Sequence, residues 1–384
     1  MDFTFTPEQE ALRASASRLA RDEFAATAFT HDEIPWTNLK VLADAGFTGI
    51  TIPESCGGQG GSLLDALLVM EAVTQVCPHS GDAVQATSFG AIRQVAAFGS
   101  DELRQALLPR LIAGDGLISA GMSEPDAGSA LTDMTTRAEI VGDEVVLRGQ
   151  KIWNSHGPDA THTVVWCRFG ASTRDIGAVV VPHDAPGFSK GPAERYMSGE
   201  RHCALYLDDV RVPRSHLLAE RDALSKMLTI FGIERIGNAV RALALAQAAF
   251  DLAVDHAKTR RQFGRDLCEF QGIQWKFADM LVQLDAARLL VYRAAVNASD
   301  DGAPQRAEAQ IAKLHANETA FNVANEALQI FGASGYSTEF PMEYYVRRTR
   351  GWMIAGGSVE MMRNKIAESV FDRRFSQRAP IATG

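Results

Sequence analysis

The spacing of apolar positions divides the chain into a helical start, a middle of short strands and a helical end. Thr6-Pro7-Glu8-Gln9 is a helix-start signal in which Thr6 caps the helix, Pro7 lies in its first turn and Gln9 reaches back. Apolar residues at helical spacing predict further helices over 36–43, 62–76 and 101–113. We therefore predict an α-helical N-terminal domain over residues 1–115.

Between residues 116 and 222 the pattern changes to short β-like runs that Gly, Pro and Asp interrupt. Strands are predicted within 137–147, 163–168, 177–181 and 204–207, with a Gly-Asp turn signal inside the first of these. This middle section is predicted to form a small β-barrel-like domain between two helical blocks.

Residues 223–384 return to long helical periods. One helix is predicted over 224–259, and apolar residues recur at steps of three or four over 273–291. A third helix is predicted from Pro304 to Phe331, and a fourth from Glu343 onward completes a four-helix bundle. The predicted inward stripe of the third helix consists of Ile311, Leu314, Phe321, Ala324 and Leu328.

Composition narrows the class of protein without identifying it. A chain of 384 residues can divide into two or three domains, and a net charge of -9 argues against nucleic acid as a general partner. The five cysteines are scattered without a C-x-x-C pair, which indicates neither a disulfide framework nor a metal site. No apolar run approaches the length of a membrane span. We expect a cytoplasmic protein.

Two stretches of the middle section hold residues that packing alone does not require. The first, over 122–129, combines a proline, a glycine and two serines, a composition that suits free N–H groups and hydroxyls facing something flat and polar. The second, over 148–155, is a turn and a strand that carries Trp153 beside two small polar residues. Either stretch alone is also typical of a surface loop or a hairpin.

Together, these stretches resemble the flavin-binding signature of the acyl-CoA dehydrogenase family, whose order of α domain, β domain and α bundle matches the whole chain. Ser123-Glu124-Pro125-x-Ala127-Gly128-Ser129 is similar to the family's Thr-Glu-Pro-x-Ala-Gly-Ser-Asp, and Trp153-Asn154-Ser155 stands where the family has Trp-Ile-Thr. The resemblance implies a non-covalently bound FAD. Its implied contacts in this domain are Met122, Ser123, Gly128, Ser129, Trp153, Asn154 and Ser155, with Ser129 also near the CoA arm.

The C-terminal bundle carries two further matches. Arg260-Arg261-Gln262-Phe263-Gly264 with Gln271 resembles the family's Arg-x-x-Phe-Gly…Gln, and Gln329-Ile330-Phe331-Gly332 resembles its Gln-Ile-Phe-Gly. In the family these segments reach the FAD of a neighbouring subunit, so the resemblance implies a homotetramer or homodimer. The implied cofactor contacts of the bundle are Arg260, Gln262, Phe263, Gln271, Gln329, Gly332, Ser358 and Glu360.

The chain departs from the family pattern where many members carry their catalytic base. Ala355-Gly356-Gly357-Ser358 stands in place of a segment with Glu-Gly-Thr, and glycine cannot take a proton. Isovaleryl-CoA dehydrogenases and crotonobetainyl-CoA reductases carry that Glu on an earlier bundle helix, just before an Arg. Here that position reads Glu234-Arg235. The resemblance implies Glu234 as the base, Arg235 as a substrate contact and the N–H of Gly356 as a catalytic donor to the thioester carbonyl.

The implied reaction is α,β-dehydrogenation of an acyl-CoA or an acyl-carrier-protein thioester, with an electron-transfer flavoprotein as acceptor. Three alternatives stay open on the residues alone. The same fold serves flavin monooxygenases and oxidases, and it serves acyl-CoA enzymes that run reduction or elimination. A flavin-free scaffold protein is the third, and the intact flavin signature argues against it. Two other departures are Ala130 and Arg348, each of which replaces a family Asp.

Overall fold

The computed structural model describes residues 4–30, 33–299 and 302–378, and it has a mixed sheet between two groups of helices. The predicted fold class, mainly α with a central β domain, is confirmed. In this part of the chain no helix is long and apolar enough to cross a membrane. The first group of helices consists of α1 (Pro7–Leu19), α2 (Trp36–Asp44), α3 (Leu63–Val76), α4 (Pro78–Ser88), α5 (Ala91–Phe98) and α6 (Asp101–Ile112).

Caps begin the N-terminal helices where the sequence predicts them. Thr6 accepts from the N–H of Gln9 at 3.2 Å while the Gln9 side chain accepts from the N–H of Thr6, a reciprocal pair that satisfies two orphan donors. Ser62 and Asp65 form the same arrangement on α3, and Ser100 caps α6. These three starts are therefore set by local chemistry.

Helices α4 and α5 are absent from the sequence-based prediction. Every residue of α4 is buried, including Asp82 and Gln85, so the helix has no solvent face and no apolar period to detect. Gly81 and Gly237 allow this burial. A Cβ at Gly81 would lie 2.0 Å from the Thr74 hydroxyl, and one at Gly237 would lie 2.0 Å from the Gln85 amide oxygen.

The middle section forms one sheet. The strands of this sheet are β1 (Ile118–Gly121), β2 (Arg137–Val141), β3 (Glu144–Ser155), β4 (His162–Arg168), β5 (Ile176–Pro182), β6 (Phe188–Lys190), β7 (Glu194–Arg195), β8 (Arg201–Pro213) and β9 (Leu217–Ala219). Their order is β6-β8-β3-β2-β4-β5-β9, with β1 paired to β4 and β7 paired to β8. The predicted strand over 204–207 lies inside the much longer β8, which pairs with β3 along most of its length.

The C-terminal section is a helical bundle with a small ribbon at one end. Its elements are α7 (Leu224–Thr259), β10 (Arg261–Gln262), β11 (Arg265–Asp266), α8 (Gln271–Val296), α9 (Arg306–Phe331), α10 (Ala333–Tyr336), α11 (Met342–Trp352) and α12 (Val359–Val370). Helix α7 is continuous, as predicted. The predicted fourth helix is instead two helices, α11 and α12, because Gly356 and Gly357 lie between them in left-handed conformations with φ of 70° and 95°.

The predicted inward stripe of α9 is confirmed at Ala324 and in part at Leu328, which packs against the core, and it is wrong at the other three positions. Ile311, Leu314, Phe321 and Leu328 are only partly buried. The buried face is instead lined with alanine, because small side chains let α9 approach α7 closely over much of its length. Its members are Ala309, Ala312, Ala316, Ala320, Ala324 and Ala327, together with the polar residues Lys313 and Asn317.

Candidate active site

A buried ion pair fixes the loop that begins at Met122. Lys151, on β3, donates from Nζ to Glu124 Oε1 at 2.7 Å and to the Met122 carbonyl at 3.2 Å. Glu124 also accepts from the N–H groups of Thr135 and Thr136, at 2.5 and 3.0 Å. Burial raises the pKa of Glu124, but the hydrogen bond and charge of Lys151 outweigh it and bring the pKa down to about 2. The loop is thus held from inside the β domain.

The outer side of this loop remains open. The N–H of Ile152 donates to the Ser123 carbonyl at 2.9 Å, which joins the two stretches that the sequence singled out. Gly128 and Ser129 are exposed, and a Cβ on Gly128 would meet nothing within 4 Å. Among the described residues, the N–H groups of Ser123, Gly128 and Ser129 have no hydrogen-bond acceptor. These three backbone N–H groups are therefore available to a ligand.

Trp153 stands beside these donors with its indole in the open. It is 58% exposed and has a φ of 57°, next to an irregularity in the pairing of β3 with β8. The Tyr196 hydroxyl donates to the Trp153 carbonyl at 3.1 Å, and the His202 ring lies 5.0 Å from the indole. Such a left-handed non-glycine residue persists where its surroundings hold it, and these often are functional sites.

The two residues after Trp153 face opposite ways. Ser155 is exposed, with its hydroxyl 3.4 Å from that of Tyr196. The Asn154 amide is buried and donates to the Ala120 carbonyl at 3.0 Å. A contact from Asn154 to a cofactor would therefore have to come from its main chain.

Glu234 lies on α7 against the end of α4 and the turn that follows. It is half-buried, and a Cβ on Gly90 would lie only 3.1 Å from its Oε2. The Gln85 amide donates to the Glu234 carbonyl at 3.4 Å. Burial raises the pKa of Glu234 above the ordinary glutamate value, and the charge of Arg241 opposes that rise. A carboxylate with a raised pKa in a partly open position is a candidate general base.

The loop with Gly356 is tied to the helix of Glu234. Arg235, which the resemblance implies as a substrate contact, donates from Nε to the Gly356 carbonyl at 3.2 Å. Burial lowers the pKa of Arg235 to about 10, so it remains a cation at neutral pH. Across the part of the chain that the structure describes, the N–H of Gly356 has no acceptor. Glu234 and a free backbone donor are thus brought to one locality.

Behind Glu234 lies a network of buried charges that the sequence did not indicate. Asp82 accepts from Arg241 Nη1 at 2.5 Å and from Arg348, and Arg348 also pairs with Glu200. Burial alone would raise the pKa of Asp82, but the charges of Arg348 and Arg241 hold it well below its usual range. Arg348 stands where the family pattern has an aspartate, and Asp82 is the carboxylate that pairs with its guanidinium group. The partners lie far apart in sequence, so no spacing rule could find them.

The other predicted cofactor residues form an exposed group at one end of the bundle. His256 and Phe331 stack at 4.1 Å, which brings the end of α9 beside the end of α7. Phe263 is 94% exposed with a φ of 51°. The predicted residues of this group, all exposed, are Arg260, Gln262, Phe263, Gln271, Gln329 and Gly332. No hydrogen bond or ion pair among the described residues connects this group to the loop at Met122.

Ser358 and Glu360 lie apart from that group, at the start of α12. The Ser358 hydroxyl accepts from the N–H of Met361 at 3.4 Å and caps the helix. Glu360 is exposed in the first turn, where backbone and Ser358 hydrogen bonds lower its pKa. Helix capping accounts for both residues in the single chain.

Comparison with known proteins decides the family. Models of the acyl-CoA dehydrogenase N-terminal, middle and C-terminal domains match residues 6–115, 119–210 and 224–371. The chain belongs to the acyl-CoA dehydrogenase family. It is 37% identical to a 3-sulfinopropanoyl-CoA desulfinase of Advenella mimigardefordensis, over 98% of this chain and 96% of that one.

Solved structures of acyl-CoA dehydrogenase-family and related proteins have the same fold. Butyryl-CoA dehydrogenase from Megasphaera elsdenii is similar with a TM-score of 0.91 and 31% identity, over 97% of this chain and 100% of that one. A chain from a study of the electron transferring flavoprotein of Acidaminococcus fermentans is similar with a TM-score of 0.92 and 31% identity, over 96% and 99% of the two chains.

FAD is the cofactor of this enzyme class, and the residues of the β domain fit it. The open N–H groups of Ser123, Gly128 and Ser129 suit the polar edge of a flat heterocycle, and the exposed indole of Trp153 suits its face. The space beside Gly128 is not filled by protein. The protein is therefore an FAD-dependent enzyme of the acyl-CoA dehydrogenase class.

Proposed function

We propose that this enzyme oxidises an acyl-CoA between its α and β carbons and that Glu234 takes the α proton. The observation that supports this most is that the half-buried Glu234 and the N–H of Gly356, which has no acceptor among the described residues, lie near each other through the 3.2 Å contact of Arg235 with the Gly356 carbonyl. A general base and an oxyanion donor are the two protein groups that removal of a proton beside a thioester requires.

The steps follow from what each group can do. The N–H of Gly356 donates to the thioester carbonyl and so acidifies the α carbon. Glu234 in its ionised form removes the α proton. Bound FAD would supply the acceptor for the β hydrogen, which leaves as hydride. Arg235 keeps the Gly356 peptide in place through its carbonyl, so its role is to position that peptide rather than to touch the substrate.

We propose an electron-transfer flavoprotein as the acceptor and the cytoplasm as the location. The similarity to a chain from a study of an electron transferring flavoprotein supports the acceptor. All five cysteines are free, which supports a reducing compartment. A carrier-protein thioester in place of CoA is the narrower alternative for the substrate.

A second candidate is the desulfination of an acyl-CoA, favoured by the 37% identity to a desulfinase. This candidate is also supported by the buried guanidinium group of Arg241, whose charge acts on Glu234, and by that of Arg348, which shares Asp82 with Arg241. The Nε atoms of Arg241 and Arg348 are buried and lack a hydrogen-bond partner among the described residues. Such donors would suit an acyl chain that ends in an acidic group.

Anaerobic mixing of the FAD-loaded enzyme with a panel of acyl-CoA thioesters separates the two. We expect short unsubstituted or branched acyl-CoAs to bleach the visible flavin band. For 3-sulfinopropanoyl-CoA, release of sulfite without bleaching would favour the second candidate. If no thioester in the panel bleaches the flavin or releases sulfite, both candidates are wrong.

For assembly, we propose a homotetramer or homodimer in which the exposed bundle group meets a neighbour's FAD. Helix α8 supports this, because Trp275, Val282, Leu289 and Val296 are exposed and recur every seven residues. That spacing places them on one face, typical of a helix that packs on another. Light scattering should report two or four chains, and Phe263→Ser should lower FAD affinity. A monomer that holds FAD tightly would contradict the assignment.

A further inference from the structure

In the loop between α11 and α12, the carbonyls of Gly356 and Gly357 each accept a hydrogen bond from a side chain. The Met353 carbonyl accepts from the N–H of Val359 at 3.0 Å, and the Gly356 carbonyl accepts from Arg235. Within the described chain, the N–H groups of Gly356 and Gly357 have no acceptor. The backbone is thus oriented so that its donors are available to a ligand.

Lys313, on α9, holds both ends of this loop. Its Nζ donates to the Trp352 carbonyl at 3.2 Å and to the Gly357 carbonyl at 2.9 Å. Asn317, one turn further along α9, donates to the same Trp352 carbonyl at 2.6 Å. Lys313 also lies directly beneath the catalytic glycine, because a Cβ on Gly356 would be 3.5 Å from its Cε.

Simple packing does not explain a lysine at this position. Lys313 is fully buried on a face made mostly of alanine, and it forms no ion pair with a carboxylate of the described chain. Burying an ammonium group without a carboxylate is costly, and an apolar side chain of similar length would fill the same volume. The two loop carbonyls that accept hydrogen bonds from Lys313 therefore explain why a lysine is found here.

We propose that Lys313 is a positioning residue, which fixes the loop so that the Gly356 N–H points at the thioester carbonyl. Gly356 and Gly357 lie at positive φ, which glycine adopts without strain, so their own backbone preferences leave the loop free to rearrange and the contacts of Lys313 hold it. Without Lys313, the Gly357 carbonyl loses its donor and the peptides of the loop can rotate. The free N–H then no longer meets the substrate oxygen. This inference rests on the proposed role of Gly356.

The test measures carbonyl polarisation directly, in the FAD-loaded enzyme. An aromatic α,β-unsaturated acyl-CoA absorbs at longer wavelength when its thioester carbonyl accepts a strong hydrogen bond. We expect the wild-type enzyme to shift this band and Lys313→Met to lose at least about half of the shift while it still binds the thioester and FAD. Flavin reduction by substrate should slow by roughly 10–10²-fold, below the effect of removing an oxyanion donor outright.

Control variants separate positioning from folding. Lys365→Met removes an exposed lysine of α12 that pairs with Glu368, and it should leave the shift unchanged. Lys313→Gln keeps a donor at the site and should retain more of the shift than Lys313→Met. The loss of the band shift in the double variant Asn317→Ala and Lys313→Met should be smaller than the sum of the two single losses, because both side chains donate to the Trp352 carbonyl.

The outcomes are distinguishable. An unchanged band shift in a Lys313→Met enzyme that binds FAD and the thioester would overturn the proposal, and so would failure of both Lys313 variants to fold. A wild-type enzyme that binds no acyl-CoA would overturn the proposed function instead. A wild-type enzyme that binds the probe without a shift would overturn the role of Gly356 and this inference with it.

Discussion

Two buried lysines hold the two loops of the site, and they differ in what they pair with. Lys151 holds the loop at Met122 and has Glu124 as an ionised partner at 2.7 Å. Lys313 holds the loop at Gly356, and its partners among the residues that the structure describes are two backbone carbonyls. Burial lowers the pKa of both. At Lys151 the hydrogen bond and charge of Glu124 oppose this shift, whereas at Lys313 the charge of Arg235 adds to it, the charges of Glu234 and Glu360 oppose it, and the pKa falls to about 7.

The difference follows from the departure at Gly356. A glutamate there would place a carboxyl group beside the Lys313 side chain, since a Cβ would lie 3.5 Å from Cε. With glycine, Lys313 keeps its loop but has no ion-pair partner in the part of the chain that the structure describes, and Glu234 is a carboxylate whose charge still acts on it. The β-domain loop is thus fixed by a strong ion pair, while the bundle loop is fixed by a lysine that can titrate near neutral pH.

The largest effect should come from Lys151→Met. It leaves Glu124 buried without its cation, a loss that costs about 3–5 kcal/mol in comparable pairs. We expect the variant to lose most of its FAD and unfold at much lower urea concentration. Lys313→Met leaves two carbonyls without a donor but no carboxylate without its cation. It should therefore lower the free energy of unfolding by only about 1–2 kcal/mol. Equal losses of unfolding free energy would contradict the distinction.

The pH dependence of stability should next show whether Lys313 titrates near neutral pH. Unfolded Lys313 has an ordinary pKa of about 10.4, so above pH 7 the unfolded chain binds a proton that the folded chain has released. The unfolding free energy of the wild type should therefore rise with pH relative to Lys313→Met, by at most about 1.4 kcal/mol per unit. Urea unfolding of both proteins between about pH 7.5 and 9 tests this. Parallel curves would mean that Lys313 stays protonated.

A smaller effect is expected from Gly356→Ala. The added Cβ would meet only ordinary contacts, 3.5 Å from Lys313 and 3.9 Å from the Asn238 amide nitrogen. The left-handed backbone should cost roughly 1–2 kcal/mol, and flavin reduction should slow only a few-fold. Gly351→Ala, in the exposed last turn of α11, is a matched control without a positive φ. A complete loss of flavin reduction in Gly356→Ala would mean that the substrate needs the space that the added Cβ occupies.

Much of the fold could be predicted because its signals are local. The cap at Thr6, the length of α7 and the loop at 122–129 each depend on neighbouring residues. Helix α4 was missed because burial on all sides removes any period, and the split of the last helix was missed although Gly356 and Gly357 announce a break.

The supporting residues of the site were less accessible. Lys313 does not stand out in the sequence, because the larger apolar residues of α9 predict a different inward face. On the face that is buried, a lysine lies among residues that are mostly alanine, and that contrast is visible only once the face is known. The Asp82–Arg241–Arg348 network could not be predicted, because its partners come from three helices and pair only in the folded chain.

Single-turnover flavin reduction by an acyl-CoA under anaerobic conditions tests most directly whether Glu234 is the base. Glu234→Gln should slow reduction by roughly 10²–10⁴-fold with FAD content unchanged, whereas Glu368→Gln on α12 should have no effect. In the wild type, the rate should rise with pH through a pKa above that of ordinary glutamate, since burial raises it. Gly356→Glu in the Glu234→Gln background should restore part of the rate. A Glu234→Gln enzyme that reduces its flavin at the wild-type rate would contradict the account.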